Sequence, residues 1–246
     1  MIAAPQAAGL AALALGTTYW TFMSPQSQIL GYYPYHGAGH GRAVALSFDD
    51  GPNEPYTTQL ADFLADQQIR ATFFQVGSCV EKFPDTSRRL IAYGHEIGNH
   101  SYSHQFHRCW IDSTMQTEID RTQQILSDTT GIIPTLYRPP WLLRTRPLFR
   151  SLSERGLQPI SGEFCHPLEP FQPAAAFIAK RVLSTVRPGK IIIFHDGFDA
   201  RGGNRANTVE AVKIVVRSLR ESGYTFATVS ELLAADVTAP SKSQMR

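Results

Sequence analysis

The sequence predicts an α/β fold: a distorted β/α barrel of about seven parallel strands, preceded by an N-terminal apolar segment. Three observations lead there. Short apolar runs alternate with segments of helical spacing, the pattern of parallel strands with crossover helices. Several runs end in polar residues, as barrel strands do where an active site sits at their C-terminal ends. No glycine-rich dinucleotide fingerprint follows the first run, which argues against an open nucleotide-binding sheet. The chain has 246 residues, 43% of them hydrophobic, enough for one sizeable core.

Residues 1–41 read as an apolar segment and linker, 42–236 as the barrel, and 237–246 as a polar tail. No Lys, Arg, Asp or Glu precedes Arg42. The run AAGLAALALGTTYWTFM, residues 7–23, is long enough to be marginal as a membrane span. It lacks the positive n-region of a secretory signal. An uncleaved anchor, a cleaved signal and a helical arm on a soluble chain are the three readings. The first two place the barrel outside the cytoplasm, in the cell envelope or secreted. GYYPYHGAGHG, residues 31–41, reads as a linker. Strands are expected at 44–48, 70–75, 96–99, 135–138, 158–161, 190–195 and 224–229. Helices are expected at 56–67, 86–93, 112–127, 146–154, 173–186 and 207–221. A net charge of +2 on scattered Lys and Arg leaves no nucleic-acid footprint. Cys79, Cys109 and Cys165 have no CxxC spacing and read as free thiols. A monomer is expected.

Four motifs carry chemistry. ALSFDDGP ends a hydrophobic strand in two adjacent carboxylates, Asp49 and Asp50, whose repulsion burial would sharpen. Asp-Gly alone is a turn signal. A divided pair, one carboxylate on a cation and one held back as a base, would relieve the repulsion. GNHSYSHQFHRCW follows the third strand and sets His100 and His104 four apart. If that segment turns helically, both imidazoles face one way. With Asp50 they form a two-imidazole, one-carboxylate set suited to Zn²⁺ or non-haem Fe²⁺, with positions open for water. His107 reads as a surface residue rather than a fourth ligand. YRPPW closes the fourth strand. Arg138 offers a planar fork for a carboxylate, and two prolines leave the Trp141 N–H as the first free donor, placed for an oxyanion. KIIIFHDG ends a buried run in His195, a candidate general acid.

FDDG, HSYSH, RPPW and IFHDG occur in the order and spacing of the polysaccharide deacetylases, the NodB-homology domain of carbohydrate esterase family four, which the chain resembles from about Arg42 to Leu233. The resemblance implies that Asp49 is the catalytic base, that Asp50, His100 and His104 hold a divalent metal (Zn²⁺, with Co²⁺ as another option), and that Arg138 orients the base. It implies that the Trp141 N–H helps bind the oxyanion and that His195 is the acid. Ile193 stands where the family usually has a leucine lining the acetyl pocket. The family's Asp-Trp motif, in which the acid tunes the histidine and the Trp walls the pocket, is matched by Glu163 and Phe164. The implied reaction removes N-acetyl groups from an acetylated carbohydrate polymer or oligosaccharide. An O-acetyl esterase or an amidase on a small non-sugar amide is the rival.

Overall fold

The computed structural model describes residues 4–37, 41–110 and 112–237. After helix α1 (Ala4–Phe22) the chain enters β1 (Ala43–Asp49), α2 (Tyr56–Asp66), β2 (Thr72–Gln75), α3 (Gly77–Lys82), α4 (Pro84–Ala92), β3 (Glu96–Asn99) and α5 (Asp112–Thr130). It continues through β4 (Leu136–Tyr137), α6 (Arg146–Glu154), β5 (Gln158–Pro159), β6 (Glu163–Phe164), α7 (Ala175–Thr185), β7 (Ile191–His195), α8 (Ala206–Glu221), β8 (Thr225–Ala227) and α9 (Val229–Val237). The paired strands form one parallel sheet in the order β5-β4-β3-β2-β1-β7-β6, with β8 against the start of β1. The expected distorted barrel is thus what forms, with the two-residue β6 as a strand the sequence pattern did not show.

Alternation along β1 builds two layers. Val44, Leu46 and Phe48 face the helices and join the main core with Leu60, Phe73, Phe194 and Val212. Ala45 faces inward and packs with Phe74, Leu136 and Ile160. Ser47 and Asp49 share that inward face, so the strand's polar end opens into the barrel mouth. The register places Asp49 beside both His195 and Phe74.

The barrel is not closed by hydrogen bonds. β5 and β6 are the two edges of the sheet, joined by residues 160–162. Arg138, fully buried, fills this seam: its guanidinium donates to Ser161 O at 2.8 Å and Ile160 O at 3.4 Å. A buried charge is tolerated when its donors are used in this way.

Residues 23–37 are not a loose linker. Tyr33 is fully buried against Leu142 and Ile193, Gly37 N–H donates to Gly189 O at 2.7 Å, and His36 bridges Lys190. No helix among the described residues is long and apolar enough to cross a membrane. The polar tail lies, from residue 238 on, outside the described residues. All three cysteines are free.

Candidate active site

Asp49, Asp50, His100, His104, Trp141, Phe164 and His195 line a single cleft of about 510 Å³ at the C-terminal ends of the strands. Each arrives there for a local reason. Asp50 takes a left-handed backbone (φ 77°), which Asp tolerates better than most residues. The turn packs so tightly on the IFHDG loop that a Cβ at Gly197 would lie 2.2 Å from Asp50 O. Only glycine fits there.

His100 and His104 converge, but not through a helical turn. Ser101 and His104 adopt left-handed backbones (φ 65° and 53°) and curl the loop back on itself. Buried Glu118 holds that loop, accepting from the N–H groups of Tyr102 and Ser103 at 3.1 and 2.7 Å. The Nε2 atoms of His100 and His104 lie 3.2 and 3.0 Å from Asp50 Oδ1. Each opposite ring nitrogen has an oxygen close by. His100 Nδ1 is 2.6 Å from Arg138 O and His104 Nδ1 is 3.1 Å from Asp199 Oδ1. Such outer partners orient metal-bound imidazoles.

The donor set fits a divalent cation. One ligand atom from each of Asp50, His100 and His104 lies within 4.8 Å of the others, and all three residues are buried. The local field also favours positive charge at this point. Burial opposes ionisation of Asp50, yet His104 and His100 hold its carboxyl well below the usual range. Burial pulls His104 down, but Asp50 and Asp199 outweigh it and push it up to about 10. A metal ion would take over that attraction, displacing the proton.

Asp49 stands beside this set. Arg138 Nη1 donates to Asp49 Oδ1 at 2.6 Å and to Ser47 Oγ at 2.9 Å, fixing the carboxylate from inside the barrel. Trp141 and Leu142 both have positive φ (53° and 56°). The Trp141 ring packs 4.4 Å from His104 and 5.2 Å from Phe106.

Two expectations need correction. Glu163 does not reach His195. Successive strand residues face opposite ways, so with Phe164 in the cleft wall, Glu163 turns to Arg187 and to Lys190 Nζ at 3.5 Å. The partner of His195 is Glu169, fully buried, its Oε2 2.6 Å from Nδ1 and its other oxygen accepting from Thr208. Burial pulls His195 down but Glu169 outweighs it, and the imidazole is pushed up to about 9. Glu169 is correspondingly lowered. Ile193 sits two residues below His195 on the same face of β7, fully buried, and Leu142 rather than Ile193 lines the cleft. His107 is exposed, outside the ligand cluster. Phe164 stacks over His195, the rings 6.2 Å apart and 11° from parallel.

A family model described as polysaccharide deacetylase matches residues 36–160, half the chain. The chain belongs to the polysaccharide deacetylase family. A peptidoglycan-N-acetylglucosamine deacetylase of Bacillus cereus is 31% identical over 204 residues, 82% of this chain and 93% of that protein. A chitooligosaccharide deacetylase of a Bradyrhizobium species is 29% identical over 74% of this chain and 87% of its own. Among solved structures, a family 4 acetyl xylan esterase from Clostridium thermocellum, in complex with a cobalt ion, is similar at TM-score 0.71 and 31% identity, covering 83% of this chain and 96% of that one. The polysaccharide deacetylase described here has its Glu169 and His195 beyond the residues that the family model matches.

Proposed function

We propose that this chain is a divalent-metal-dependent hydrolase that removes N-acetyl groups from N-acetylglucosamine units of a polysaccharide or oligosaccharide. The observation that carries the reading is one cleft holding three separately supported groups: Asp49 on Arg138, Asp50 with two imidazoles, and His195 on Glu169. A bound divalent ion, with Zn²⁺ the best fit to this donor set, supplies Lewis acidity for water and carbonyl.

The chain's own residues do the rest. Asp49, held by Arg138, accepts the proton that water loses as its oxygen adds to the acetamide carbon. The Trp141 N–H donates to the developing oxyanion. His195, kept protonated by Glu169 through Nδ1, gives the Nε2 proton to the leaving nitrogen as the C–N bond breaks. The products are acetate and a glucosamine unit. Phe164 shields the acid from water on one side.

The similarity to an acetyl xylan esterase supports a second reading, an O-acetyl ester of a sugar, with the same residues in the same roles. An alkoxide needs less protonation to leave than an amine. Acetate release measured on peptidoglycan, an N-acetylglucosamine oligomer, an N-acetylated exopolysaccharide and acetylated xylan decides between them. The amide substrates are expected to react with the higher kcat/KM. Release from xylan alone would replace the amide reading with the ester one.

A further inference from the structure

We propose that Tyr19, at the end of the N-terminal helix, is a substrate-contact residue that stacks on a sugar unit flanking the one that reacts. The inference rests on the deacetylase reading and adds a specificity element that lies ahead of the family-matched residues 36–160.

Tyr19 lines the same cleft as Asp49, Asp50 and His195. Tyr19 is 52% exposed. Helix α1 is exposed from residue 9 to residue 20, so packing over that stretch does not hold it. Its last turn, by contrast, is clamped. The N–H groups of Met23 and Ser24 donate to Tyr19 O at 2.8 and 3.0 Å, and Arg144 N–H donates to Phe22 O at 2.9 Å. The fully buried Arg144 guanidinium donates to Ser24 O and Ser27 O and lies 4.6 Å over the Tyr33 ring. A cation placed on the carbonyls just past a helix C-terminus satisfies groups that otherwise lack donors. Ser161 secures the next stretch, its Oγ donating to Pro25 O at 2.7 Å and its N–H to Pro34 O at 2.8 Å. Phe22 packs 5.7 Å from Trp110.

The result is a rigid anchor one turn from an exposed aromatic ring beside the reacting groups. Phe164 and Phe171, also exposed, line the same cleft. Pyranose rings present flat C–H faces that pack on aromatic faces, and an aromatic contact of this kind contributes on the order of one factor of five in affinity. A single sugar at the reacting position leaves Tyr19 without a partner. A linear oligomer fills both places. Because a flanking unit does not change during the reaction, Tyr19 contributes uniform binding, which sets KM and not kcat.

The test uses the full chain with Tyr19→Ala and Tyr19→Phe, on a β-1,4-linked hexamer of N-acetylglucosamine and on the single sugar N-acetylglucosamine. The side chain is on the surface, so both variants fold. For Tyr19→Ala the expected result is a hexamer KM raised roughly fivefold with kcat within about twofold, and a clearly smaller change on the single sugar. Tyr19→Phe is expected to behave as the parent, since the ring face makes the contact. An unchanged hexamer KM in Tyr19→Ala, an equal rise on both substrates, or a Phe variant as weak as the Ala variant would each overturn the proposal. If the parent enzyme releases acetate from neither substrate, the deacetylase reading itself fails, and the inference with it.

Discussion

Asp49→Asn is expected to keep its metal and lose about 10²- to 10⁴-fold in kcat, the usual worth of a general base. Asn preserves size and still accepts from Arg138, which lies 2.6 Å away, but it cannot take up a proton. The loss corresponds to roughly 3 to 5 kcal/mol of transition-state stabilisation, and KM should move little. Asp50→Ala is expected to behave differently, losing metal and activity together, because Asp50 Oδ1 is the atom on which both imidazoles converge. Metal stoichiometry and steady-state kinetics on both variants separate the two neighbours. If Asp49→Asn loses the metal while Asp50→Ala retains it, the two roles are exchanged.

Glu169→Gln is expected to move the alkaline limb of the kcat/KM profile to lower pH by at least about one unit, with on the order of a tenfold loss at pH 8. The sign follows from the balance at His195, where burial lowers the imidazole and Glu169, outweighing it, raises it to about 9. Without the carboxylate, burial dominates and the acid loses its proton earlier. The same pairing contributes stability that is fully present below the ordinary histidine value and is lost as pH rises through about 9. Thermal unfolding of the parent should therefore weaken across that window more than in the variant. Glu163→Gln is the control: its partners are Arg187 and Lys190, and the limb should stay in place. A limb that moves with Glu163 and not with Glu169 would contradict the geometry.

Much of the framework was readable from local pattern. β3 and α6 fall where alternation and helical spacing put them, and the polar strand ends at Asp49, His100, Arg138 and His195 come together in one place. What was hidden depends on contacts between distant segments. β6 has two residues and follows Gly162, too short for any period. Glu163-Phe164 imitates an acid-aromatic pair, but adjacency on a strand sends the two side chains to opposite faces. Glu169 reaches His195 from a 3₁₀ turn at Glu169–Phe171. Its only sequence signal is a lone acid in the Pro-rich HPLEPF. The histidine pair converges through left-handed residues rather than a helix, which spacing alone cannot distinguish. In the charge-free N-terminal part, composition does not show the burial of Tyr33 or the carbonyls that Arg144 binds.

The central claim is that Asp50, His100 and His104 hold a divalent ion on which hydrolysis of a sugar acetamide depends. The most direct measurement is acetate release from an N-acetylglucosamine oligomer by the parent protein before chelation, after exhaustive chelation, and after stoichiometric Zn²⁺ or Co²⁺ is returned, with elemental analysis at each stage. About one ion per chain, activity lost with it, and activity restored by one equivalent is the expected result. Full activity in protein shown to be metal-free would contradict the account.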